Sequence, residues 1–136
     1  MRVKLDEGAF MPQRAHADDA GYDIFCPRYV RIPPHGKVII DTGVHVEIPK
    51  GYYGDIKAKS GLYFKHDLDT TGTVDSGYRG SIKVKIVNLG KEGYIFDVGD
   101  KIAQMVITPC YTPELELSEE LTETDRGSNG FGSTGR

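Results

Sequence analysis

In the run SIKVKIVN, residues 81–88, the apolar side chains Ile82, Val84 and Ile86 alternate with Lys83 and Lys85. A period of two sends alternate side chains to opposite faces of a strand, so this stretch suits a sheet with one face buried and one wet. The same short runs recur along the chain as KVIIDTGVHVEIP (37–49), YYGDIKAK (52–59), YIFDV (94–98) and KIAQMVITPCY (101–111). Turn formers separate them, among them PPHG (33–36), PKG (49–51) and LGKEG (89–93). Turns that arrive roughly every ten residues predict an all-β sandwich, jelly roll or barrel rather than a βαβ unit. Long 3.6-period apolar stripes are absent, and the one helical candidate is a turn or two over SGLYFKH (60–66). From Glu114 the chain becomes acidic and polar, ELELSEELTETD, before a glycine-rich end. That reads as a final strand followed by a detached arm.

Composition narrows the function classes. A chain of 136 residues, 38% hydrophobic and 27% charged, is sized for one soluble domain with its own core. A net charge of -3 gives no reason to expect duplex nucleic acid as a partner, although a small anion needs only a few local cations. The two cysteines, Cys26 and Cys110, lie far apart and fit reduced thiols better than a secreted disulfide scaffold. The stretch MRVKLDEGAF has no apolar signal core, and no run approaches the roughly 18 apolar residues of a membrane span. The expected setting is the cytoplasm, without membrane contact.

Several stretches carry chemistry-bearing residues. HADDAGYDIF (16–25) places Asp18, Asp19 and Asp23 in one window, which in isolation is a solvated turn entering a strand. Its spacing matches no EF-hand loop, and the four histidines show no zinc-ligand spacing. AKSGLYF (58–64) offers Lys59 and Ser60 beside Gly61. In TTGTVDSGYRGSI (70–82), Gly72 and the group Gly77-Tyr78-Arg79-Gly80 look like the turns of a tight hairpin. Asp75 lies at that bend, either as a cap or as a general base facing a cleft. The end, GFGSTG (130–135), formally fits G-x-G-x-x-G, but no helix can follow it, so the dinucleotide fingerprint does not apply. What remains is a phosphate-binding chemistry: glycine-freed amides, two hydroxyls and Arg126, with Phe131 able to cap a flat ring.

Taken in order, DAGYDIF, KSGL, GTVDSGYRGSI, GDKIAQMVI (99–107) and RGSNGFGSTG resemble the five motifs of the trimeric dUTP pyrophosphatases, the dUTPase family. Each motif is weak alone, yet five in the right order from about Ala17 to Gly135 are specific. The resemblance implies a β jelly roll (β-clip) over residues 1–125 and a C-terminal arm over 126–136 that closes the active site. It also implies a homotrimer with shared sites: motifs one, two and four from one subunit, the third from a second and the arm from the third. The implied reaction is hydrolysis of dUTP to dUMP and pyrophosphate with Mg2+. Carried over by position, Asp75 is the base that activates the attacking water, and Tyr78 packs under the deoxyribose. Gly72, Thr73 and Val74 read uracil through their backbone. Ser60 and Gln104 hold phosphates, Lys59 supplies charge there, and Gly61 is a further substrate contact. Asp23 acts on the water shell of a magnesium ion held mainly by the substrate. Arg126, Ser133 and Thr134 grip the terminal phosphates, Gly132 is a further substrate contact, and Phe131 lies over the base.

Elementary chemistry agrees with that assignment. Attack at phosphorus needs charge neutralised on the phosphate oxygens and a water placed in line with the leaving group. Two departures stand out. Lys59 occupies a position where Arg is usual, keeping the charge but losing the bidentate fork. Gly77 stands where an acidic residue is common. The rival with the same fold, dCTP deaminase, needs a glutamate where this chain has Lys85. A rival of another class is a regulatory dUTP-binding relative that does not turn its ligand over.

Overall fold

The computed structural model describes residues 1–130, which contain eleven strands and one helix. In chain order the strands are β1 (Arg2–Leu5), β2 (Gly21–Phe25), β3 (Val30–Ile32), β4 (Lys37–Asp41), β5 (Val44–Glu47) and β6 (Tyr52–Lys57). Helix α1 (Ser60–His66) follows, then β7 (Leu68–Asp69), β8 (Thr71–Val74), β9 (Lys83–Asn88), β10 (Tyr94–Phe96) and β11 (Lys101–Pro109). All pairings are antiparallel, in sheets ordered β2-β11-β6-β8, β4-β9-β7, β1-β5 and β3-β10. The architecture is all-β, as the strand spacing predicts, and it is the jelly roll that the family resemblance implies.

The period-two pattern in β9 does what it implies: Val84 and Ile86 are buried while Lys83 and Lys85 face out. They meet Ile24, Ile56 and Met105 from the four-stranded sheet and Ile32 and Phe96 from the β3-β10 pair, forming one cluster. Each such side chain contributes about 1.5–3 kcal/mol when fully buried, and every fully or partly buried member of the cluster lies at or before Ile107. The fold therefore owes nothing in its core to residues 111–130, all of which are exposed.

SGLYFKH is helical over its full length. Lys65 and His66 place cations in its last turn, where the helix dipole favours them. The helix stops where Asp67 adopts a left-handed conformation and its N–H donates to the Leu62 carbonyl. The expected strand 37–49 is broken in two at Thr42-Gly43, because Gly43 turns the chain at φ 67. A Cβ there would also stand 2.9 Å from the Ala9 Cβ.

Two expectations are corrected. Gly72 is not in a turn: it lies inside β8, opposite Ile56. Nor do β8 and β9 close as a hairpin, since β8 pairs with β6 and β9 with β4 and β7. The segment between them, 75–82, crosses from one sheet to another. The second correction concerns the acidic stretch. No strand is present from Glu114 to Asp125, and Leu115 and Leu117 are 96% and 100% exposed. Their alternation with Glu114 and Glu116 has a strand period, but a strand needs a neighbour to pair with and the described residues supply none there.

Candidate active site

A polar cleft of about 220 Å³ opens where β2, β11 and the start of α1 meet. Asp23, on β2, lies at its base and is only 4% exposed. Such a burial is tolerable only with partners, and two lysines supply them. Lys101 Nζ approaches Asp23 Oδ2 at 2.7 Å, and Lys59 Nζ donates to Oδ1. Burial by itself pushes the Asp23 carboxyl up, but the hydrogen bonds and charges of Lys101 and Lys59 outweigh it and hold the group below its ordinary value. The result is a fixed anion carrying two cations toward the cleft.

Gln104 sits directly across from Asp23 on β11, and its Nε2 donates to the Ala58 carbonyl at 3.1 Å. That pose depends on Gly21, where an added Cβ would collide with Gln104 Oε1. Ser60 lines the same cleft. The structure thus brings together Asp23, Lys59, Ser60 and Gln104 from three stretches of sequence.

Asp75 and Tyr78 are elsewhere. Gln104 pairs with Lys57 and Lys57 with Thr71, so Asp75 lies two strands across and four residues along from Gln104. With strand spacing near 4.8 Å and a rise near 3.3 Å per residue, that separates their Cα atoms by roughly 16 Å, and Asp75 from Asp23 by roughly 20 Å. Asp75 begins a tight turn closed by the Tyr78 N–H donating to its carbonyl at 3.0 Å. Tyr78 Oη donates to the Ser81 carbonyl at 3.1 Å, and its ring lies so close over Gly80 that a Cβ there would collide with Oη. Arg79 Nη1 donates to the Ser76 and Tyr78 carbonyls at 2.7 and 2.8 Å, tying the turn from within. Gly72, Thr73 and Val74 lie on β8, the edge of its sheet. An edge strand leaves part of its main-chain N–H and C=O groups unpaired, available to a ligand with a matching edge.

Arg126 is exposed, with its Nε donating to the Asn129 carbonyl at 3.0 Å. Phe131, Gly132, Ser133 and Thr134 lie outside the described residues. Gly61 is exposed at the first turn of α1. Sequence reasoning missed Lys101 and Gly21. Each lies within a singled-out motif, three residues before Gln104 and two before Asp23, so a search for charge partners and close approaches would have found them.

The family model described as dUTPase matches residues 7–135. The chain belongs to the dUTPase family. It is 46% identical to the deoxyuridine 5'-triphosphate nucleotidohydrolase of Clostridium novyi, over 97% of this chain and 95% of that protein. A solved dUTPase of Staphylococcus bacteriophage 80alpha, with dUPNHPP, superposes with a TM-score of 0.92 at 36% identity, covering 99% of this chain and 98% of that one. A mutant dUTPase from phage phi11 of S. aureus, described with a structural Mg(II) ion, matches at 37% identity and a TM-score of 0.81 over 88% and 96% of the two chains.

Among the described residues no group of three His, Cys, Asp or Glu side chains is placed to hold an ion. Both Asp23 oxygens accept from lysine, one from Lys59 and the other from Lys101.

Proposed function

We propose that this chain is a dUTP diphosphatase that hydrolyses dUTP to dUMP and pyrophosphate at sites shared between copies of a homotrimer. The observation that carries the reading is the cleft in which Lys59, Lys101, Ser60 and Gln104 converge around Asp23, in a chain of the dUTPase family. Two cations, an amide and a hydroxyl suit a triphosphate, whose charge must be neutralised before attack at phosphorus.

In the reaction, water attacks the α-phosphorus, the bond to the bridging oxygen of the β-phosphate breaks, and Asp75 takes the proton of the water. Lys59 turns from Asp23 to the phosphates, while Lys101 keeps the carboxylate paired. Mg2+, when bound, would neutralise phosphate charge, and Asp23 is the residue that would act on its water shell. The main chain of Gly72 to Val74 pairs with the uracil edge, and Tyr78 packs under the deoxyribose. Arg126, Gly132, Ser133 and Thr134 close over the terminal phosphates as part of an arm formed by 126–136, with Phe131 over the base.

The trimer reading is supported by the register. An Asp75 roughly 16–20 Å from the phosphate cleft of its own chain is out of reach of it, which supports a base supplied by a neighbour's Asp75. The exposed Leu115 and Leu117, spaced like strand residues without a partner, support an arm that pairs on another copy. Among the described residues no helix is long and apolar enough to cross a membrane.

The test is pyrophosphate release from dUTP, dTTP, dCTP and UTP. Release from dUTP alone supports the proposal, ammonia from dCTP marks a deaminase, and tight dUTP binding without turnover marks a regulator. Lys85, on the outer face of β9, offers no carboxylate for deamination. A second expected result concerns the cleft floor. Gly21→Ala drives the Gln104 side chain off the Ala58 carbonyl, so kcat/KM falls about five-fold, the worth of one polar contact, while the melting temperature barely moves. Unchanged kinetics would remove Gln104 from the phosphate site.

A further inference from the structure

The segment carrying Asp75 and Tyr78 is pinned at its crossing by a side chain that the proposed reaction never touches. His45, on β5, places Nδ1 2.8 Å from the Arg79 carbonyl and Nε2 3.0 Å from Asp6 Oδ2. Both partners are acceptors. A carbonyl has only lone pairs to offer, and Asp6, half exposed to water, enters as a carboxylate. A neutral imidazole carries one N–H and satisfies one of them, leaving the other contact as lone pair against lone pair. Imidazolium alone donates to both.

The surroundings fix this pair in place. Asp6 is held by its backbone N–H donating to the Gly43 carbonyl at 2.9 Å, and the left-handed Gly43 leaves room for it, since a Cβ there would stand 3.3 Å from the Asp6 Cβ. On the far side, the Ile82 N–H donates to the Val44 carbonyl at 2.8 Å, and Thr42 Oγ1 donates to the Ile82 carbonyl at 2.8 Å. Residues 75–82 thus leave the four-stranded sheet at Val74 and are captured again one residue from His45.

We infer that His45, as imidazolium, is a positioning residue that locks the Asp75–Tyr78 turn through the Arg79 carbonyl, and that its loss of a proton loosens the turn and lowers turnover. This deepens the dUTP diphosphatase reading and rests on it. The charged groups around the ring come from each neighbouring element: Lys4, opposite His45 on β1, Arg2 on the same strand, Asp6 beyond it, Asp41 at the end of β4, Glu47 on β5 and Arg79 from the crossing segment. The hydrogen bond to Asp6 comes first, then that to the Arg79 carbonyl; together they outweigh desolvation and Lys4 and raise the imidazole above its ordinary 6.5. A raised value keeps the proton at the lower end of the neutral range, and the lock is lost as pH rises through it.

The experiment compares wild type, His45→Gln and Asp6→Asn by the pH profile of kcat/KM for dUTP and by the ring-nitrogen NMR shifts of His45. Wild type is expected to lose activity on a limb above the ordinary histidine value, with both ring nitrogens protonated below it. Gln donates from one atom only, so His45→Gln lacks the limb and is about five-fold less active at pH 6.5, while its melting temperature shows that it folds. Asp6→Asn keeps the limb but moves it to lower pH. A limb that survives in His45→Gln, one that stays put in Asp6→Asn, a flat wild-type profile, or a neutral ring at pH 6.5 would each overturn the inference. Should the wild type not hydrolyse dUTP at all, the functional reading fails. The ring shifts, together with the amide shifts of residues 76–80, still decide whether His45 holds the turn.

Discussion

Asp75→Asn is expected to bind dUTP as the wild type does and to turn it over roughly 10³-fold more slowly, within the range that general-base catalysis supplies. Asparagine is nearly isosteric and Asp75 is exposed, so neither the core nor the Asp75–Tyr78 turn depends on the lost charge. That turn is closed by the Asp75 main-chain carbonyl rather than by its carboxylate. The defect therefore falls on kcat, with KM almost untouched, the signature of a group that acts only in the transition state. Single-turnover kinetics with equilibrium binding of dUTP measures both. Wild-type turnover in Asp75→Asn would take this residue out of the mechanism and reopen the choice of base.

Removal of residues 127–136 is expected to leave a folded protein with activity reduced by about 100-fold, the order expected for losing preorganised phosphate contacts and exclusion of water. The prediction divides cleanly because the structure does. Among the described residues the last strand ends at Pro109, every core member precedes Cys110, and residues 111–130 bury nothing. Thermal melting should be unchanged while both kcat and the apparent affinity for dUTP suffer, since the proposed reaction gives Phe131 to the base and Ser133 and Thr134 to the phosphates. Full activity in the truncated chain would dismiss the arm as a part of the site. A parallel drop in melting temperature would instead make it a structural element.

The fold was legible where side-chain period and burial agree. Ile82, Val84 and Ile86 announced β9, and SGLYFKH its short helix, because both are local patterns read against a single core. The third motif misled, since GYRG has the composition of a hairpin turn but composition does not say which sheet the next strand joins. Val74 is held by β6 and Ile82 by the Thr42–Val44 corner, both contacts long-range in sequence. The acidic leucines misled for a related reason: their alternation is a strand pattern, and pairing is a property of two strands. Within the site, Asp23, Lys59, Ser60 and Gln104 were named from their motifs, whereas the burial of Asp23 between two lysines was invisible before Lys59 and Lys101 could be placed on either side of it. His45 had no motif to mark it, and only the register of β1 with β5 brings it beside Asp6.

The exposed leucines carry a cost that falls on timing. A freshly made copy displays Leu115, Leu117 and Leu121 in chain without secondary structure, the kind of segment that cellular proteases cut first. Docking on a neighbour would hide the same residues. In the proposed trimer, a copy without neighbours would be the one left open to cleavage between residues 111 and 130.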